Sequence, residues 1–469
     1  MPSAAERLAA ATAAVARADL HRRRGAITDL IGLVVEATGL EAEVGEVCEI
    51  AHTRDAEPLP AEVVGFRAGR TLLMPLGELQ GVGPGDRVTA TGRRLSVPIG
   101  DGLLGRVLDG LGRPMDGGAP LDDLPQRPVT GAPPPPLQRP RIGDRVSLGV
   151  RALDAMVPCG RGQRLGIFAG SGVGKSSLLG MIARSTSADV NVICLVGERG
   201  REVVEFLERD LGAAASRSVV VCATSDQPAL VRIKAALTAT AIAEHFRDSG
   251  CDVVLMMDSV TRFAMAQREV GLAIGEPPAT RGYTPSVFAL LPKLLERSGT
   301  STAGTITGLY TVLVDGDDMN EPVADAVRSI LDGHVVLTRE LAHAGHYPAI
   351  DVLQSVSRLE GEIASPQVRE AATEVRALLA AHKDKRDLIA IGAYERGSDP
   401  VVDRAIDLEP AIRAFLRQRA DDMTTAQDAD ARILELAGPA SAPEPALDAS
   451  PSPPPPTAPV ALPPLNLGV

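Results

Sequence analysis

The stretch AGSGVGKSS, residues 169–177, decides the fold that the sequence predicts. It follows the apolar run RLGIFA, which is typical of a buried strand, and it precedes a segment with Leu178, Leu179 and Ile182 at helical spacing. Glycine tolerates a positive φ, so the backbone N–H groups of this loop can turn inward towards an anion. The helix that follows directs its positive end to the same place. The stretch therefore predicts a phosphate-binding loop between a strand and a helix.

The loop matches the P-loop pattern, with Ala169 in the place of the first glycine. In this pattern Lys175 supplies a positive charge for the β and γ phosphates, and the hydroxyl of Ser176 is a ligand for Mg²⁺. The other loop residues are expected to bind the nucleotide as well. They are Gly170, Ser171, Gly172, Val173, Gly174 and Ser177.

Two carboxylates follow apolar strand candidates downstream of the loop. Asp258 ends the run DVVLMMD, and Glu198 comes shortly after VNVICLV. Carboxyl ends of parallel strands meet at one edge of a sheet, which is where such sheets bind ligands. Asp258 is therefore predicted to hold Mg²⁺ opposite Ser176, and Glu198 to polarise a water beside the γ phosphate.

Charged residues next to Glu198 permit two interpretations. Arg199 and Arg201 can face the charge of the phosphates, or they can form surface ion pairs with Glu202. Spacing alone does not separate these alternatives.

Apolar runs alternate with helical stretches from about residue 145 to 360. This alternation predicts a parallel sheet with helices on both faces. The strand candidates are RLGIFA, VNVICLV, SVVVCAT, DVVLMMD, GLYTVLV and GHVVLT.

Other parts of the chain have a different character. Short β-rich runs before residue 96 indicate a small barrel or sandwich, and the proline-rich stretch GAPPPPLQRP at 131–140 is expected to extend and separate two units. The predicted architecture is a multidomain α/β protein. Its segments are an N-terminal helix (1–24), a β-barrel domain (25–96), a P-loop domain with a RecA-like sheet (97–364, including a linker at 119–144), a helical C-terminal domain (365–436) and a disordered Pro-rich tail (437–469).

The composition of the chain argues against some classes of function. The 469-residue chain has a formal net charge of -12 and no tryptophan, which argues against a nucleic-acid surface. Five cysteines without CxxC spacing fit a reducing cytosol. No apolar stretch is long enough to cross a membrane. The Ala-rich N-terminal segment is compatible with a helix that docks a partner, one that lies on a membrane surface or an ordinary capping helix.

Several long phrases resemble the flagellar protein-export ATPases, relatives of the rotary ATP synthase β subunit and of the type III secretion ATPases. The resemblance covers residues 25–436 approximately. The phrases that carry it are AGSGVGKS, GERGREV, LMMDSVTRFAMAQREVGLAIGEPPATRGYTPSVFALLPKLLERSG, VDGDDMNEPVADAVRSILDGHVVL and GHYPAIDVLQSVSR.

The resemblance implies roles for individual residues. Glu198 would be the catalytic carboxylate, with Arg199 and Arg262 near the γ phosphate. Tyr347 would stack on adenine, and Arg358 would be an arginine finger that reaches the site of a neighbouring subunit. The family would hydrolyse ATP with Mg²⁺ to drive protein export.

The resemblance also implies partners. A homohexamer would sit at the inner face of the cytoplasmic membrane as a cytoplasmic, peripheral assembly below an export gate. It would meet chaperone–cargo complexes, a regulator on the N-terminal helix and a coiled-coil stalk in its central pore.

Three alternatives remain at this point. The first is the ATPase of a virulence-type secretion system, although GSGVGKSS and the long PATRGYTPS phrase look more like the flagellar group. The second is a non-catalytic ring subunit, against which Glu198 argues. The third is an RNA motor, against which the acidic balance and scarcity of aromatic residues argue.

Overall fold

The computed structural model of the chain describes residues 23–51, 57–314 and 318–438. In chain order these residues form a barrel, a large parallel sheet with helices on both faces and a group of C-terminal helices. The predicted fold class is therefore confirmed. The predicted N-terminal helix and nearly all of the predicted disordered tail lie outside the described residues.

Six strands close into a barrel, so the barrel alternative is correct for this part of the chain. Strand order around the barrel is β1-β2-β5-β4-β3-β6, and β1 pairs with β6. Alternate residues point inward, as Cys48 and Ile50 do, and they form a separate apolar core. The strands are β1 (Arg24–Ile31), β2 (Val34–Thr38), β3 (Glu46–Ala51), β4 (Leu59–Arg67), β5 (Arg70–Pro75) and β6 (Arg87–Arg94).

Three short strands follow the barrel. They are β7 (Ser96–Pro98), β8 (Val107–Asp109) and β9 (Gln126–Pro128), of which β7 and β9 pair with each other. β8 was not among the strand candidates, because three residues are too few to show an alternation of apolar and polar side chains. The carboxylate of Asp109 accepts bonds from the N–H groups of Leu111 and Arg113, and this fixes the turn after the strand.

The central sheet has nine strands. The order is β19-β18-β12-β17-β15-β13-β14-β8, with β16 paired to β17, and all pairs are parallel except those of β16 and β19. All six strand candidates from the sequence are present. The strands of this domain are β10 (Arg145–Val146), β11 (Cys159–Gly160), β12 (Arg164–Ala169), β13 (Val190–Val196), β14 (Ser218–Ala223), β15 (Asp252–Asp258), β16 (Gly299–Thr300), β17 (Thr305–Leu313), β18 (Gly333–Leu337) and β19 (Val356–Ser357), with β10 and β11 forming a separate pair.

Helices cover both faces of this sheet. Every residue of β13 is buried, as expected for a strand packed on both sides. The helices are α1 (Arg151–Met156), α2 (Lys175–Ser185), α3 (Gly200–Glu205), α4 (Ala229–Asp248), α5 (Val260–Ala273), α6 (Pro285–Leu295), α7 (Pro322–Ile330), α8 (Arg339–His343) and α9 (Glu360–Ile363).

The proline-rich stretch at 131–140 does not separate two units, which corrects the expectation. The guanidinium of Arg139 donates to the carbonyl of Ser298 at 3.0 Å, and the hydroxyl of Thr300 donates to the carbonyl of Pro140 at 2.8 Å. These bonds fix the stretch along the central domain. Pro136–Gln138 within it form a short turn of 3-10 helix, and its position is set by long-range hydrogen bonds that sequence periodicity does not reveal.

Three helices follow the sheet: α10 (Pro366–Ala390), α11 (Pro400–Leu416) and α12 (Ala426–Ala437). The side chains of Ser365, Asp399 and Thr425 cap their N-termini by accepting bonds from first-turn N–H groups. Proline at the first position of α10 and α11 presets φ for a helix. Among residues 23–51, 57–314 and 318–438, no helix has the length and hydropathy to cross a membrane.

Candidate active site

The predicted P-loop connects the end of β12 to the start of α2. Gly172 and Gly174 have φ values of +80° and +92°, a backbone conformation that side-chain-bearing residues rarely adopt. A Cβ added to Gly172 would meet no atom within 4 Å, so the space beside this glycine is open. The first N–H groups of α2 lack intrahelical partners and face this space with the positive end of the helix. The loop can therefore bind an anion.

The remaining loop residues take three kinds of position. Gly170 and Val173 are buried, whereas Ser171 and Ser176 are exposed. Ser177 is half-buried in the first turn of α2. The exposed hydroxyl of Ser176 is thus accessible to a ligand.

Lys175 lies between two carboxylates from neighbouring strand ends. Its Nζ atom contacts Oδ1 of Asp258 and lies 3.5 Å from Oε1 of Glu198. Burial alone would lower the pKa of Lys175, but the two carboxylates outweigh burial and raise it. β13 and β15 are adjacent and parallel, which is why Glu198 and Asp258 emerge on the same side as the loop.

Glu198 is a carboxyl group with an altered proton affinity. Burial, and then the negative charge of Asp258, raises its pKa to about 7, although Lys175 opposes this shift. Its side chain is 18% exposed, so water can reach it. A carboxylate whose pKa is close to neutrality is suited to accept a proton.

Thr311 is a site residue that sequence analysis missed. It lies on β17 next to β15, it is fully buried, and its hydroxyl donates to Oδ1 of Asp258 at 2.7 Å. This bond fixes the orientation of the Asp258 carboxylate. In the sequence, Thr311 is recognisable only as a polar residue within the apolar run GLYTVLV. That it bonds to Asp258 could not be predicted, because this contact depends on the order of the strands in the sheet.

Arg262, on α5, contacts the residue that precedes Glu198. Its side chain packs on Gly197, where an added Cβ would come within 3.1 Å of the arginine Cβ and Cγ atoms. Its Nε atom is buried and has no hydrogen-bond partner within the described part of the chain. A buried polar group without a partner is costly, and an added anion would satisfy it.

Arg199 is not brought to Lys175. Its guanidinium pairs with Glu202 at 3.2 Å, and its side chain is 71% exposed. The surface-pair alternative describes this arrangement, because Arg199 is the residue that precedes α3 and its side chain follows the outer face of that helix.

Tyr347 lies against the P-loop. A Cβ added to Gly174 would be 3.5 Å from two carbons of the tyrosine ring. The residue is 47% exposed, in the loop between α8 and β19. One side of the ring thus covers the loop, and the ring retains exposed surface.

Arg358 lies at the opposite end of the sheet. It follows β19, which pairs with the first residues of β18, whereas the P-loop follows the last residue of β12. Its N–H donates to the carbonyl of Asp332 at 3.0 Å. Arg358 and Lys175 therefore do not meet within one chain.

The residues at the P-loop fit a magnesium-bound triphosphate. Mg²⁺ binds oxygen ligands, and the hydroxyl of Ser176 and the carboxylate of Asp258 are such ligands. The unpartnered Nε of Arg262 and the open cradle at Gly172 suit the charge of the phosphates. Lys175 supplies a further positive charge.

Three protein-family models match successive parts of the chain. Residues 149–357 match the nucleotide-binding domain of the ATP synthase alpha/beta family, and residues 27–92 match its beta-barrel domain. Residues 364–435 match the T3SS EscN ATPase C-terminal domain.

Individual relatives are similar over most of their length. The flagellum-specific ATP synthase of Bacillus subtilis is 53% identical over 90% of this chain and 96% of its own. The type 3 secretion system ATPase of Xanthomonas euvesicatoria is 51% identical over 86% of this chain and 91% of its own. The solved structure of the assembled ATPase EscN from the type III secretion system of enteropathogenic E. coli superposes with a TM-score of 0.84 at 45% identity, covering 88% of this chain and all of that chain.

Fold, site and relatives together define a P-loop ATPase of the ATP synthase α/β family. Within that family the chain belongs to the flagellar and type III secretion ATPases.

Proposed function

We propose that this chain hydrolyses ATP to energise the export of flagellar proteins through a type III secretion apparatus. The observation that carries the proposal is the contact of Lys175 with Asp258 and Glu198 at the open P-loop. Flagellum-specific ATP synthases are among the relatives, at 53% identity in Bacillus subtilis and 51% in Salmonella typhimurium.

The chemistry is phosphoryl transfer to water. The oxygen of a water molecule forms a bond to the γ phosphorus, and the bond from that phosphorus to the β–γ bridging oxygen breaks, which releases ADP and phosphate. Glu198 accepts the proton of the attacking water. Lys175 and Arg262 stabilise the negative charge that the phosphate oxygens carry.

Ser176 and Asp258 would hold the magnesium ion. When bound, Mg²⁺ neutralises phosphate charge. Thr311 keeps the Asp258 carboxylate in one orientation through its hydroxyl. Gly170, Ser171, Gly172, Val173, Gly174 and Ser177 complete the nucleotide site, and Tyr347 stacks on the adenine. Arg199, paired with Glu202 in this structure, is proposed to turn to the γ phosphate only in the assembled, nucleotide-bound state.

Arg358 acts across a subunit boundary. In support of this role, Arg358 lies at the opposite end of the sheet from the P-loop of its own chain, so it cannot serve that site. We infer a homohexameric ring, and the support for it is that the similar ATPase EscN has solved structures as an assembly, alone and in complex with its central stalk EscO. A coiled-coil stalk would occupy the pore of the ring.

The remaining partners follow from membership of the family. The ring is cytoplasmic and peripheral to the inner face of the cytoplasmic membrane, where it meets an export gate, chaperone–cargo complexes and a regulator at the N-terminal segment. It binds no nucleic acid, in keeping with the net charge of -12.

The second candidate function is that of the ATPase of a virulence-type secretion system. It is favoured by the 51% identity with the Xanthomonas euvesicatoria ATPase, which nearly equals that of the flagellar relatives. A non-catalytic ring subunit is disfavoured by the position of Glu198 beside Lys175.

Two measurements test the proposal. ATP hydrolysis is measured against protein concentration with sizing alongside, and specific activity should rise as the ring assembles. Replacement of the chromosomal gene by one encoding Lys175→Ala should abolish flagellar assembly and motility. Normal flagella with lost effector secretion would instead support the virulence-type candidate, and a fully active monomer would contradict the ring.

A further inference from the structure

Gln418 is a buried polar residue where the C-terminal helices meet the central domain. It is 5% exposed and lies two residues after the end of α11. Burying an amide is costly unless its donors and acceptor are satisfied. The hydrogen bonds of this amide therefore show which segments of the chain Gln418 connects.

Its side chain binds two segments at once. Oε1 accepts from the N–H of Arg151 at 2.8 Å, at the first residue of α1. Nε2 donates to the carbonyl of Gly149 at 2.9 Å and to that of Asp422 at 2.8 Å. The amide thus ties the α11–α12 connection to the start of α1 in the central domain.

Its main chain binds a third segment. The N–H of Gln418 donates to the carbonyl of Tyr347 at 3.0 Å, and the ring of Tyr347 lies against Gly174 of the P-loop. A continuous series of contacts therefore runs from the C-terminal helices through Gln418 and Tyr347 to the nucleotide loop.

The loop that carries Tyr347 has little other buried polar support from these helices. The Arg386–Glu340 ion pair is more than 60% exposed on both sides, so it adds little. Arg417 donates to the carbonyl of Ala344 at 3.3 Å from an exposed position. Between the loop and the helices lies a cavity of about 260 Å³ lined by His346, Ile350 and Leu416, among others. The central domain holds the flanks of the loop, because the N–H of His346 donates to the carbonyl of Leu341 at 2.9 Å and that of Thr338 donates to the carbonyl of Ala349 at 3.0 Å. The bond to the carbonyl of Tyr347 itself comes from the buried Gln418.

We propose that Gln418 is a positioning residue that holds Tyr347 where it contacts the base of an adenine nucleotide. Through the same bonds, a displacement of the C-terminal helices moves Tyr347 and changes affinity for the base but not for the phosphates. This inference rests on the proposed function, in which Tyr347 stacks on adenine.

The test uses a single tryptophan. The chain contains none, so Tyr347→Trp in the full-length protein gives a fluorophore at the loop alone. Gln418→Leu is added to this background, since leucine has similar volume without hydrogen bonds. Tryptophan anisotropy is measured without nucleotide, and the dissociation constants of MgADP and of inorganic tripolyphosphate are then measured by quenching and competition.

The proposal predicts a selective effect. Gln418→Leu should lower the nucleotide-free anisotropy and weaken MgADP about tenfold, with tripolyphosphate unchanged within about twofold. Gln427→Leu, the same change at an exposed position on α12, should leave all three values at those of the parent. If Gln418→Leu does not fold, Gln418→Asn is used, because its shorter side chain cannot reach all three partners; the same selective loss is expected.

Other outcomes would overturn the proposal. Equal weakening of MgADP and tripolyphosphate would show that Gln418 only stabilises the fold, and parental values in the folded variant would show that it does not position the loop. Tyr347→Ala is measured separately. If that change leaves discrimination between ATP and tripolyphosphate intact, the base-stacking part of the proposed function fails, whatever Gln418 does.

Discussion

Nζ of Lys175 lies 3.5 Å from Oε1 of Glu198 and also contacts Asp258, so a single cation joins carboxylates from two adjacent strands. Without a phosphate, these carboxylates stabilise the lysine. A triphosphate that enters with Mg²⁺ provides Lys175 with new negative partners and Asp258 with a new positive one. Nucleotide and metal are therefore expected to bind together more tightly than either alone.

Thr311→Val should weaken the apparent affinity of the enzyme for Mg²⁺. The change removes the 2.7 Å bond that orients Asp258 and keeps the size of the side chain. The Mg²⁺ concentration for half-maximal ATP hydrolysis should rise about tenfold. Thr311→Ser retains the hydroxyl and should behave as the parent. An unchanged magnesium titration for the valine variant would show that Thr311 does not position the carboxylate.

Arg358→Ala chains should recover activity when mixed with Lys175→Ala chains. Each alone lacks one half of every site, but the mixture forms interfaces with an intact P-loop on one side and an intact arginine on the other. Each homogeneous variant should lose about 10³-fold or more in rate. The control is a mixture of Arg358→Ala with the doubly changed Lys175→Ala/Arg358→Ala chain, which provides no finger. If both mixtures stay inactive, Arg358 does not act in trans.

Glu244→Ala should destabilise the central domain. The carboxylate forms two 2.8 Å bonds with Arg297, and both side chains are at least 97% buried. Removing it leaves a buried guanidinium uncompensated, which should lower the free energy of unfolding by about 3–5 kcal/mol. Asp407→Ala, which breaks the exposed pair with Arg396, should cost about 0–1 kcal/mol. Urea denaturation followed by circular dichroism measures both, and equal small losses would contradict this assignment.

Truncation after residue 438 should leave ATP hydrolysis unchanged. The removed residues, 439–469, are rich in proline, alanine and serine, a composition that does not build a core. Truncation after residue 424 is the contrast, because it removes α12 with its buried Ala429 and Ile433. The longer deletion should lose stability and activity. A large loss of activity after the shorter deletion would show that residues 439–469 contribute to ATP hydrolysis.

Sequence predicted the central sheet because its parallel strands are continuous apolar runs. β13 and β15 are examples. Because they are parallel strands, Glu198, which follows β13, and Asp258, the last residue of β15, were expected at the same edge of the sheet. β8 could not be predicted, since three residues carry no period. Its place beside β14 depends on pairing between distant parts of the chain.

The site was partly predictable for the same reason. Lys175 belongs to a local pattern, whereas the bond from Thr311 to Asp258 exists only because β17 lies next to β15. The direction of Arg199 depends on how α3 leaves the sheet. Gln418 joins segments more than 260 residues apart, and no local pattern marks it.

Glu198→Gln tests the central claim most directly. The amide keeps the size of the side chain but cannot accept a proton from water, so ATP turnover should fall by about 10²–10⁴-fold while MgADP affinity stays within about threefold of the parent. Glu205→Gln, at an exposed position on α3, is the matched control and should hydrolyse ATP at the parental rate. Parental turnover by a folded Glu198→Gln protein would contradict the assignment of this carboxylate as the group that activates water.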